Sequence, residues 1–111
     1  MTFSQSRQDN GIRVVGVDGQ LIVGNRQELK ALVQSALAAG DRKLLFDFSR
    51  TGYIDSSGLG ALVTIARQVR EQGGELRLAG LNDDLRSLFE LTKLDTLFSI
   101  ADTPAQALAG F

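Results

Sequence analysis

The chain has 111 residues, 43% of them apolar and 23% charged, with a formal net charge of −1. That length buries one core in one domain, and the near-neutral balance leaves no electrostatic footprint for nucleic acid or for an anionic membrane surface. Cysteine and histidine are both absent, which excludes disulfides, thiol nucleophiles, histidine-based triads and the usual ligands of structural zinc.

The opening Met1-Thr2-Phe3-Ser4-Gln5 lacks a charged start followed by an apolar run, so it does not read as a signal peptide. Nothing approaches the ~20 apolar residues of a membrane span. The chain therefore reads as soluble and cytoplasmic.

A short segment over residues 3–8 precedes Asp9-Asn10-Gly11, a hairpin-turn signal. Residues 12–17 are valine-rich and read as a strand, so the first two strands are expected to pair antiparallel. Residues 19–24 form a loop or strand extension. Asn25 is placed as a helix N-cap, with Glu28 three residues later, where its charge favours the helix start. Leu29, Leu32, Val33, Ala36 and Leu37 then recur at helical spacing as one apolar stripe, and Gly40 ends the helix.

Residues 43–48 (Lys-Leu-Leu-Phe-Asp-Phe) are short and nearly all apolar, the pattern of a strand covered on both faces. Phe46 and Phe48 belong to the core. Asp47, on so apolar a strand, reads as structural, either bonding backbone in the next loop or pointing outward near the strand end. A loop then leads into a second helix, whose predicted stripe is Leu59, Leu62, Val63, Ala66 and Val69, with Arg67, Arg70 and Glu71 on a solvated face. Gln72-Gly73-Gly74 stops that helix, and residues 75–79 form the next strand.

Asn82 is expected to cap a third helix running to about residue 91, with Asp83 and Asp84 favoured in its first turn and Leu85, Leu88 and Phe89 buried. A short strand over residues 97–100 follows. Thr103-Pro104 starts a last helix, with threonine at the cap and proline at the first helical position. The order ββαβαβαβα requires right-handed crossovers and a largely parallel sheet, made mixed by the first hairpin.

The stretch that carries chemistry is Tyr53-Ile54-Asp55-Ser56-Ser57-Gly58-Leu59-Gly60. It puts two adjacent hydroxyls at a helix N-terminus, where free backbone N–H groups and a partial positive charge tolerate a phosphate. A serine there can gain about 1.5 to 2 negative charges without unfolding its domain. Asp55 and Ser56 compete for the N-cap, since either side chain can accept from a backbone N–H. Gly58 and Gly60 weaken the first turn, and two reasons stand open for each: access to the serine hydroxyl, or packing of the helix on the sheet.

Leu44-Leu45-Phe46-Asp47-Phe48, a short loop, and then Tyr53 through Leu62 resemble the STAS domain, typified by bacterial anti-sigma factor antagonists and found also at the ends of sulfate transporters. The resemblance continues through Gly73-Gly74-Glu75-Leu76 and Leu85-Arg86-Ser87-Leu88-Phe89. It implies an α/β fold: a single STAS-type domain over residues 1–111, with a mixed, mostly parallel sheet, an N-terminal antiparallel hairpin and about four helices.

The resemblance further implies a non-enzymatic binding module without cofactors or metal, whose unphosphorylated form sequesters an anti-sigma factor and frees a sigma factor. By the same resemblance the serine after the aspartate, Ser56, is the expected phosphorylation site, with Ser57 the lesser candidate. The partners are then an anti-sigma factor that is itself a serine kinase, and a protein phosphatase, with no nucleic acid, no direct membrane insertion, and a monomeric or weakly dimeric chain. Asp55, Ser56, Ser57, Gly58, Leu59, Gly60, Gln20, Leu21 and Ile22 form the expected partner-binding surface.

One departure stands out. Many kinase-regulated antagonists carry an acidic Gly-Glu-Leu-Asp-like loop after the second strand, where this chain has Gly19-Gln20-Leu21-Ile22. That neutral loop, expected beside the serine loop, weakens charge-led recognition by a basic kinase. It also suits an alternative, a non-switched accessory subunit of a transporter or signalling complex. An enzyme using Ser56 or Ser57 as nucleophile is disfavoured, because no histidine serves as base and the Gly-x-Ser-x-Gly elbow is missing.

Overall fold

Strands and helices alternate along residues 2–111, the part of the chain that the computed structural model describes. In order they are β1 (Phe3–Arg7), β2 (Arg13–Val17), β3 (Gly19–Leu21), α1 (Arg26–Ala38), β4 (Lys43–Asp47), β5 (Thr51–Ile54), α2 (Ser56–Glu71), β6 (Glu75–Ala79), α3 (Asp83–Leu91), a 3-10 turn (Leu94–Thr96), β7 (Ser99–Ala101) and α4 (Pro104–Ala109). The main sheet has the order β1-β2-β4-β6-β7, antiparallel only between β1 and β2. The expected hairpin and parallel remainder are both present.

Alternation along β4 explains why it is so apolar. Leu44, Phe46 and Phe48 point into the larger core with Leu29, Val33, Leu62, Ile65, Val69, Leu85 and Phe89 from α1, α2 and α3. Leu45 points the other way, into a smaller core with Ile12, Ala79 and Ala107 beneath α4. Arg77 fastens that last helix: its guanidinium donates to the carbonyls of Ala107 (3.1 Å) and Gly110 (2.6 Å) and lies 4.3 Å from the centre of the Phe111 ring.

Buried Asp41, just before β4, forms ion pairs with Arg7 at 2.7 Å and Arg13 at 2.8 Å and accepts from Arg13 Nε at 2.9 Å, tying the hairpin to the end of α1. Asp47 behaves as a loop residue, its Oδ1 accepting from the Ser49 amide at 2.9 Å. Asn82 and Thr103 cap their helices as expected, accepting from the amides of Leu85 and Gln106.

Three expectations need correction. Residues 51–54 are not loop but β5, which pairs in parallel with β3 to make a separate two-stranded sheet. Asn25 precedes α1 without capping it; its Oδ1 accepts from Ile22 N and its Nδ2 donates to the Gln20 carbonyl, so it closes the β3–α1 loop instead. The buried face of α2 is rotated from the predicted stripe. Gly58, Ala61, Leu62, Ile65 and Val69 are buried, whereas Leu59, Val63 and Ala66 lie half-exposed on its flank.

Candidate functional site at the start of the second helix

Pairing of β3 with β5 delivers the serine segment and the neutral loop to one place, the end of the molecule where the three crossover helices begin. The Asp55 amide donates to the Leu21 carbonyl at 3.1 Å, extending the β3–β5 ladder to the first residue before α2. Backbone at Asp55 is extended (φ −86°, ψ 177°), the conformation of an N-cap.

Asp55 uses both carboxylate oxygens. Oδ1 accepts from the Gly58 amide at 2.7 Å, capping α2, and Oδ2 accepts from the Val23 amide at 3.1 Å, holding the β3–α1 loop against the helix start. The competition for the cap therefore goes to Asp55. Ser56 is the first residue of α2 and is exposed, while Ser57 is half-buried. Neither serine hydroxyl bonds another described residue, and the amides of both serines lack a backbone acceptor among the described residues.

The two glycines part company. A Cβ on Gly58 would stand 2.4 Å from the Leu21 carbonyl oxygen and 3.0 Å from Ile54 Cγ2, so Gly58 is buried by close packing of α2 on β3 and β5. A Cβ on Gly60 would meet nothing within 4 Å. Gly60 lies four residues after Ser56, on the same side of the helix, and leaves the approach to that hydroxyl bare.

Of the residues expected at the partner surface, Asp55, Ser56, Ser57, Leu59, Gly60 and Gln20 are exposed or half-exposed here. Leu21 is fully buried and Gly58 is buried, so neither presents a side chain outward; Leu21 contributes its carbonyl to the frame. Ile22 is half-buried. Two apolar residues were missed by sequence reasoning: Val23, 61% exposed, and Tyr53, 57% exposed. The register that pairs Gln20 with Tyr53 brings Tyr53 to this end. The signal for Tyr53 is the strand-favouring trio Thr51, Tyr53 and Ile54, whereas Val23, in the loop after β3, has none.

The strand ends on this side lead into Asp18, Asp83 and Asp84, all exposed, and Asp18 lines a groove with the exposed Arg50. Among the described residues, no group of three or more acidic side chains is placed to hold a metal ion, and no helix is long and apolar enough to cross a membrane.

Known proteins resemble this chain in sequence and in fold. A Bordetella bronchiseptica protein named as an anti-sigma factor antagonist, BtrV, is 29% identical over 102 residues, covering 92% of this chain and 88% of its own. The Staphylococcus aureus anti-sigma-B factor antagonist is 30% identical over 86 residues, 78% of this chain and 80% of its own. The crystal structure of a Thermotoga maritima protein described as an anti-sigma factor antagonist superposes with a TM-score of 0.89 at 27% identity, over 97% of this chain and 92% of that one. The STAS domain model matches residues 4–107, and this chain belongs to the STAS domain family.

Proposed function

We propose that the chain is an anti-sigma factor antagonist whose partner face is the Ser56 end and whose switch is phosphorylation of Ser56. The observation that carries this reading is the division of labour at the start of α2. Asp55 supplies the cap, so the exposed Ser56 hydroxyl has no structural duty to lose when it is modified. A phosphate there sits beside free amides and the positive end of the helix, worth about 0.3–1 kcal/mol, so the fold tolerates it. Buried under a partner without a counter-charge, the same dianion costs about 2–5 kcal/mol, which releases the partner about thirtyfold or more.

The anti-sigma factor is then the bound partner, a serine kinase adds the phosphate and a phosphatase removes it. The test is the affinity of an anti-sigma factor recovered on the Ser56→Ala chain, compared across variants. Ser56→Ala should bind as wild type does, and Ser56→Asp about tenfold or more weaker. Equal affinities for the two variants refute the switch.

One observation favours a second reading. Val23 and Tyr53 present apolar surface beside a neutral loop, which also suits a constitutive, dry contact within a transporter or signalling complex. Native protein that never carries phosphate on Ser56 in any growth state, and that copurifies with such an assembly, would select it.

A further inference from the structure

On its outer side α2 carries more than Ser56. Val63, Arg67 and Arg70 follow it by seven, eleven and fourteen residues, and at 100° per residue all three fall within about 40° of its direction. This stripe runs down the helix into a groove of about 160 Å³ lined by Val63, Ala66, Arg67, Arg70, Leu97 and Phe98. Its floor is apolar. Val63 and Ala66 are half-exposed, and Leu97, from the segment between the 3-10 turn and β7, is 51% exposed. Its rim is cationic: Arg67 and Arg70 are exposed, neither forms an ion pair among the described residues, and no acid lines the groove.

The geometry points to this groove as a second docking site for the partner that covers Ser56. Its occupant is a segment of that protein presenting an apolar side chain flanked by carboxylates. The inference rests on reading the Ser56 end as the partner face. Charge complementarity selects the occupant: two unpaired guanidinium groups attract carboxylates at the rim, while Leu97 and Val63 gain contact from an apolar anchor. Distance allows one partner to reach both places. At 1.5 Å per residue the groove begins about 10 Å and ends about 21 Å from Ser56, within the width of an interface burying about 800 Å² per partner.

The groove is tested first without any partner. The isotopically labelled chain is titrated with a synthetic amphipathic peptide carrying leucines at helical spacing and glutamates elsewhere, and with its lysine counterpart. The glutamate peptide should shift the amides of Val63, Ala66, Arg67, Arg70, Leu97 and Phe98, and the lysine peptide should not. Arg67→Glu/Arg70→Glu, an exposed pair whose reversal leaves the core untouched, should exchange the two preferences. Shifts that fall elsewhere, or that persist unchanged in the double variant, overturn the proposal, as does self-association of the wild-type chain through these residues.

Next, affinity for the anti-sigma factor recovered on the Ser56→Ala chain should fall about tenfold in Arg67→Glu/Arg70→Glu. Leu97→Ser should weaken it independently. If Ser56→Asp releases the partner while both groove variants bind as wild type, the groove alone is refuted. If Ser56→Asp has no effect, it is the switch that fails.

Discussion

Gly58 and Gly60, two residues apart in one helix, should respond to alanine in opposite directions. At position 58 the new Cβ would sit 2.4 Å from the Leu21 carbonyl oxygen. Ordinary contact begins near 3.4 Å, so α2 and β3 must separate by roughly 1 Å. The carbonyl that must yield is the one accepting the Asp55 amide, and the Gly58 amide is itself held by the Asp55 cap. Overpacking of this kind costs about 1–3 kcal/mol, against a gain of up to about 1 kcal/mol in helix propensity. The net expectation is a loss of about 1–2 kcal/mol. At position 60 the methyl enters open space, and only the propensity gain of about 0.5–1 kcal/mol remains. Equilibrium unfolding in urea should therefore separate the variants by about 1.5–3 kcal/mol, or on the order of 10 °C in Tm. Gly58→Ala within about 0.5 kcal/mol of wild type would mean that β3 yields freely, and the packing argument for Gly58 would fall. Gly60→Ala carries a second expectation: because its methyl lies one turn from Ser56, the more stable protein should bind its partner less tightly.

Asp55→Ala removes a helix cap and the tether of Val23 together, and should cost about 1–2 kcal/mol in urea unfolding, with Asp55→Asn milder because its amide oxygen can still cap. Arg77→Ala should fray α4 and the Phe111 end, seen as faster hydrogen exchange at Ala107 and Gly110, while amides of β4 keep their protection. Asp41→Ala should destabilise the fold by about 2 kcal/mol, because Arg13, whose side chain is only 21% exposed, loses its carboxylate; Arg7→Ala, at a side chain 55% exposed, should cost under about 1 kcal/mol in the same assay.

Local patterns carried most of the fold. The hairpin turn, the stripe of α1, the apolar β4 and the caps at Asn82 and Thr103 are decided by neighbours within a few residues, and each stands where its pattern points. What escaped depends on distant chain. β5 is four residues long and includes Gly52, and its one strand partner is a three-residue strand some thirty positions earlier. Thr51, Tyr53 and Ile54 favour a strand, but Gly52 interrupts a run too short to stand out without its partner. Asn25 has a cap's identity and position, but the chain leaving β3 curls back so that the Arg26 amide reaches the Ile22 carbonyl, and the asparagine is consumed by that turn. The choice between Asp55 and Ser56 could not be read from residue types that both cap well; it was settled by the second demand on Asp55, from Val23.

The rotation of α2 joins these misses. Periodicity alone favours the face with the most large apolar residues, which is Leu59, Leu62, Val63, Ala66 and Val69. Gly58 changes the preference, because a residue without a side chain lets the helix start press directly onto the Leu21 carbonyl. That contact fixes which side of α2 turns inward and brings Ala61 and Ile65 into the core. Leu59, Val63 and Ala66 then remain on the flank, with Val63 in line with Ser56 and the two arginines. The same glycine that packs the helix thus leaves apolar surface along it, and links the serine to the groove through the orientation of one rigid element.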